Sequence, residues 1–95
     1  VLSACSHRGI TNILRTVRTV FPGLPCNLLL GGFHIHKAEE FKYKIIADYL
    51  HEYLPQKMGV CHCTGVDKYA FFYKELGDRV FYNHTGNLIQ TNSLI

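Results

Sequence analysis

Apolar positions along the chain fall into two patterns, short unbroken runs and longer stretches spaced like one face of a helix. Val1 to Cys5 is a short run that predicts a strand, and Ser6 to Gly9 reads as the turn after it. From Ile10 onward, Ile10, Ile13, Leu14, Val17, Val20 and Phe21 recur at helical spacing until Pro22-Gly23-Leu24-Pro25 stops the helix. Cys26 to Phe33 is nearly continuous in apolar residues and ends in Gly31-Gly32, the pattern of a parallel strand covered on both faces. A second helix is predicted from Ala38 to Leu54, with Phe41, Ile45, Ile46, Tyr49, Leu50 and Tyr53 on its buried side and Pro55 at its end. Met58 to Cys63 reads as a third strand, Thr64-Gly65 as a turn, and Val66 to Leu76 as a third helix broken at Gly77-Asp78. Arg79 to His84 and Leu88 to Asn92 are expected as two closing strands around a hairpin turn at Thr85-Gly86-Asn87. Strand–helix repeated three times and followed by a β tail predicts an α/β fold, with no linker or internal repeat in 1–95.

Composition narrows the classes. A content of 47% hydrophobic and 18% charged residues fits a packed domain and excludes a disordered chain. The net charge of +3 is spread along the sequence rather than gathered into a basic stripe, so no nucleic-acid partner is expected. No apolar run reaches bilayer length and no signal peptide is visible, so the expectation is a cytoplasmic protein without a membrane partner. Cys5, Cys26, Cys61 and Cys63 are then expected to be reduced thiols, and the acceptor pattern Asn83-His84-Thr85 to stay unglycosylated. The chain opens inside a predicted strand without an initiator Met, so a preceding N-terminal segment is expected.

The candidate chemistry lies where strands hand over to helices. His7, His34 and His62 each follow a predicted strand, at intervals of 27 and 28 residues. In an open parallel sheet the carboxyl ends of the strands face one crevice, where ligands bind. Neutral imidazole is a common metal ligand, so the three histidines form a candidate metal site. Gly9 lets the backbone turn sharply after His7, and Gly31-Gly32 allow unusual dihedrals or close approach to a ligand before His34. His36 is expected to be exposed beside Lys37, which leaves His34 the better donor of the pair. Cys61 and Cys63 flank His62. In an extended segment the two thiols point away from the imidazole, so one zinc ion would not take all three, and both cysteines read as buried and inert. No carboxylate pair is placed for general acid–base work, so no catalytic side chain is assigned.

Three motifs in order, Cys5-Ser6-His7-Arg8-Gly9-Ile10-x-Asn12, Gly31-Gly32-Phe33-His34 and His62-Cys63-Thr64-Gly65, resemble the second half of the metallo-β-lactamase superfamily. Within it they look like the dihydropterin-methyl-ribofuranosylaminobenzene-phosphate synthase branch. The resemblance covers essentially the whole chain. It implies half of an αββα sandwich, one or two divalent metals (zinc) in the complete domain, and hydrolysis of a small, phosphorylated molecule. It matches His7, His34 and His62 to metal-site positions, and Cys5 to the place where many relatives carry a metal-binding Asp. The superfamily's His-x-His-x-Asp-His motif is absent from the 95 residues. The chain is therefore expected to be a C-terminal half, incomplete as an enzyme alone, that requires an N-terminal half or a second copy. The alternative is a non-catalytic remnant, or a subunit of a split protein that only binds a partner. A structural zinc domain built on Cys5, Cys61 and Cys63 fits the sequence poorly.

Overall fold

The computed structural model describes residues 1–90. Its elements run β1 (Leu2–Cys5), α1 (Ile10–Val20), β2 (Leu28–Gly32), α2 (Glu40–Glu52), β3 (Lys57–Val60), a 3₁₀ turn (His62–Thr64), α3 (Val66–Leu76), a second 3₁₀ turn (Gly77–Arg79) and β4 (Val80–Tyr82). The strands form one sheet in the order β1-β2-β3-β4, every pair parallel. This is the α/β class expected from the strand–helix order.

Consecutive parallel strands joined by right-handed crossovers place all the intervening helices on one side of the sheet. The core agrees, because one contiguous cluster joins Ile10 and Leu14 of α1, Ala47, Tyr49 and Leu50 of α2 and Phe72 of α3 to Leu29, Met58, Val60 and Val80 of the sheet. Leu29, Met58 and Val80 stand in one register row beneath the helices. The opposite face carries the row Leu2–Leu30–Gly59–Phe81. Among the described residues no helix covers that row, and Leu2 is 78% exposed. The apolar run of β2 therefore serves two faces, as its continuity predicts, but only one of them is packed here.

Three expectations change. On α2 the buried stripe runs through Ala47, Tyr49 and Leu50, with Tyr43, Ile46 and Tyr53 beside it, while Phe41 and Ile45 point to solvent. The helix is also two residues shorter at each end than the predicted Ala38 to Leu54. The third strand ends at Val60 rather than Cys63, because the chain leaves the extended conformation at His62. The hairpin does not form. Thr85-Gly86 do make a turn, closed by Asn87 N–H donating to the His84 carbonyl at 3.1 Å, but β4 is taken up in parallel pairing with β3. No strand follows within 88–90, where Leu88 is exposed, and Thr91 and Asn92 lie outside the described residues.

Candidate metal centre

The carboxyl ends of β1, β2 and β3 lead into turns that are tied to one another by buried hydrogen bonds. The register of β1 on β2 slips between Ser3 and Cys5, which sets Cys5 opposite Gly32. Irregularities of this kind re-aim side chains beside functional sites. Ser6, buried at the end of β1, donates both its N–H (2.9 Å) and its hydroxyl (2.8 Å) to the Gly32 carbonyl. The Phe33 N–H donates to Thr64 Oγ1 at 2.9 Å, and Thr64 is fully buried. The Cys63 carbonyl accepts from the Ile35 and His36 N–H groups at 3.0 and 2.9 Å, and His36 Nδ1 lies 3.1 Å from it. Lys68 is buried beneath the same loop and donates to the His36 carbonyl (2.9 Å) and to Asp67 Oδ2 (2.7 Å). Burying an ammonium is costly unless it is paired, so this lysine acts as a strut between α3 and the His34–His36 turn.

Gly31 and Gly32 are required by this packing. A Cβ on Gly31 would collide with the Ser3 carbonyl oxygen, and one on Gly32 would lie 2.7 Å from the Ala4 carbonyl oxygen and 2.9 Å from Cys63 Sγ. Neither has a positive φ. The unusual dihedrals belong instead to His34 (φ 58°) and His62 (φ 54°), the non-glycine residues with positive φ among those described. The left-handed conformation costs an L-residue roughly 1–2 kcal/mol, and such strain gathers at functional sites. Two histidines at neighbouring strand ends both carry it.

His7, His34 and His62 are all exposed, in the turns that follow β1, β2 and β3. The rings of His7 and His34 lie 4.0 Å apart at 51°, and that of His36 lies 5.9 Å from His34. Partial loss of solvent, followed by the charges of His7, His36 and His62, holds the His34 pKa below the usual histidine value. The neutral imidazole so favoured is the form that binds metal.

The closest set of donors is a different one. Cys5 Sγ lies 3.6 Å from His62 Nε2 and 3.4 Å from Cys63 Sγ, and ligand atoms of Cys5, His62 and Cys63 all fall within 4.8 Å of one another. This corrects the expectation that Cys63 would point away from His62. Alternation of side chains holds only in extended backbone, and the left-handed turn at His62 brings imidazole and thiol to the same side. The hydrogen bond with Cys63, then burial and the neighbouring Cys63 and Cys61 sulfurs, raise the Cys5 pKa, and burial raises that of Cys61. All four cysteines are unpaired. His51 is remote from the crevice, 3.6 Å from Glu75, and His84 bonds locally to the Thr85 carbonyl.

A hollow of about 720 Å³ is an open depression lined by Arg15, Arg18, Phe21, Leu24 and Tyr53. It lies by the loop entering β2, at the opposite end of the sheet, and holds no histidine, cysteine or carboxylate.

No family model and no curated protein matches the chain. Its structure is similar to the crystal structure of Tm1679, described as a metal-dependent hydrolase of the beta-lactamase superfamily, with a TM-score of 0.84 and 28% sequence identity. The match covers 95% of this chain and 35% of that one, so the chain spans about a third of the length of the protein it resembles. The fold is that of part of a beta-lactamase-superfamily hydrolase. Among the described residues no helix is long and apolar enough to cross a membrane.

Proposed function

We propose that the chain is the metal-binding C-terminal half of a metal-dependent hydrolase domain, with His7, His34 and His62 contributing ligands and the remaining ligands lying outside the 95 residues. The observation that carries this reading is the approach of the His7 and His34 rings to 4.0 Å at two neighbouring strand ends, in a chain similar over 95% of its length to a metal-dependent hydrolase. Zinc is the metal we assign, and a small phosphorylated molecule, as in the pterin synthase branch, is the substrate class. A divalent ion bound there would acidify a water molecule and polarise the scissile bond. The protein's own contribution is placement. Ser6, Thr64 and the Cys63 carbonyl lock the turns, Lys68 holds the His34 loop through the His36 carbonyl, and the left-handed backbones of His34 and His62 set where their exposed rings stand.

The bare row Leu2–Leu30–Gly59–Phe81 supports the same reading. A second sheet packed on it would complete an αββα sandwich and bury the apolar face that this chain leaves open. The test is reconstitution. The chain is joined or mixed with a segment that supplies the first sheet and a His-x-His-x-Asp-His motif, and bound zinc and phosphoester hydrolysis are measured. Both are expected in the assembled protein, with His62→Ala lowering them. An assembled protein that takes up no zinc would overturn the proposal.

A further inference from the structure

Within the crevice, the best-spaced donors are not the three histidines. We infer that Cys5, Cys63 and His62 form a sulfur-rich site for a thiophilic d¹⁰ metal ion such as Zn(II), Cd(II) or Cu(I), separate from the His7–His34 imidazole pair. The inference rests on the reading that the strand-end crevice binds metal but not on hydrolysis, and it specifies which atoms hold the first ion.

The geometry is the argument. A tetrahedral ion with metal–sulfur bonds of about 2.3 Å and metal–nitrogen bonds of about 2.0 Å has sulfur–sulfur edges of about 3.8 Å and sulfur–nitrogen edges of about 3.5 Å. The Cys5–Cys63 sulfurs are 3.4 Å apart and the Cys5 sulfur is 3.6 Å from His62 Nε2, so two edges of the tetrahedron already have nearly the right length. The three residues come from two adjacent turns that Ser6, Gly32 and Cys61 tie together, since Gly32 accepts from Ser6 and Gly31 accepts from the Cys61 N–H at 3.2 Å. A Cβ at Gly32 would stand 2.9 Å from Cys63 Sγ, so the glycine keeps room for that sulfur beside β2. Three donors leave a fourth tetrahedral position, and His62 and the half-buried Cys5 open it toward solvent, whereas Cys63 is buried beneath. Two thiolates select soft, d¹⁰ ions over Mg(II) and Mn(II), which prefer oxygen ligands. The bare histidine pair offers nitrogen only and lacks that preference.

Cobalt(II) alone, titrated into the reduced 95-residue chain, reads the donor set directly. The expected result is a near-ultraviolet thiolate-to-cobalt charge-transfer absorption with tetrahedral visible bands. It should fall by about half in Cys5→Ser and in Cys63→Ser, stay unchanged in His7→Ala and His34→Ala, and be displaced by Cd(II) but not by excess Mg(II). Because Cys63 is buried and its replacement can impair folding, X-ray absorption of the unmodified chain with Zn(II) supplies an independent count, with two sulfur scatterers at about 2.3 Å expected. Cobalt bound without charge-transfer absorption, or zinc with no sulfur neighbour, would overturn this inference while leaving the metal-binding reading intact. No cobalt bound under any condition would overturn both.

Discussion

The two ends of the sheet are built from the same three strand–helix units, yet they differ in almost every physical respect. At the carboxyl ends, turns are cross-linked by buried hydroxyls and carbonyls, two histidines are held in left-handed backbone, and sulfur and nitrogen donors stand a few ångströms apart. At the amino ends, by the loop into β2, there is a wide open hollow where Arg15 and Arg18 lie over the ring of Tyr49, and Arg18 over that of Tyr53. That end has volume, cation–π contacts and one free thiol, Cys26, but no cluster of metal-ligating side chains among the described residues. Size of cavity is thus a poor guide in this molecule. Strain and convergent hydrogen bonding mark the end that carries the candidate site.

The comparison can be broken by substitution. Gly31→Ala sets a methyl group against the Ser3 carbonyl and should destabilise the chain at or above the top of the ~1–3 kcal/mol range for overpacking. Leu24→Ala, at a 61%-exposed residue of the opposite end, should stay within about 0.5 kcal/mol. Equal denaturation midpoints for the two variants would erase the distinction between the ends. Next in size, Thr64→Val removes the acceptor for the buried Phe33 N–H and should cost about 1–3 kcal/mol, while Thr64→Ser should retain most of the stability. Urea titrations of the pair test this, and a valine variant as stable as the serine variant would show that the bond does not hold the turns. Smallest is the effect of Asp67, whose carboxyl is held below its ordinary pKa chiefly by the hydrogen bond from Lys68. A depressed carboxyl stabilises the fold above its unfolded pKa, and that contribution is lost as pH falls through the folded value. Asp67→Asn should therefore be slightly less stable than the parent at neutral pH and indistinguishable from it in strong acid. A difference that grows on acidification would reverse the sign and refute the pairing.

How much of this was legible in the chain depends on the range of the interaction responsible. Helices α1 and α3 follow from the periodicity of Ile10, Ile13, Leu14 and Val17 and from the stops at Pro22 and Gly77, all local signals. On α2 the predicted stripe holds at Ile46, Tyr49, Leu50 and Tyr53 but not at Phe41 and Ile45, which are as apolar as Ile46 and Leu50, because only docking on the sheet decides which side turns inward. The expected hairpin failed for a similar reason. A turn at Thr85-Gly86 is local, whereas pairing of β4 with β3 rather than with a following strand is not.

The candidate site divides along the same line. From spacing alone, the sequence determined that His7, His34 and His62 come at strand ends, and parallel topology then requires those ends to share a crevice. It could not determine that Cys63 joins His62, since that depends on a left-handed φ at His62, a conformation histidine adopts more readily than most residues but in few of its positions. Nor could it reveal the roles of Ser6, Thr64 and Lys68, polar residues whose burial exists only once three turns are packed together. Helices and strands are encoded largely in neighbours along the chain. Sulfur–nitrogen distances of a few ångströms between residues 57 positions apart are decided only by the tertiary fold, because backbone torsions and close packing across the sheet fix them.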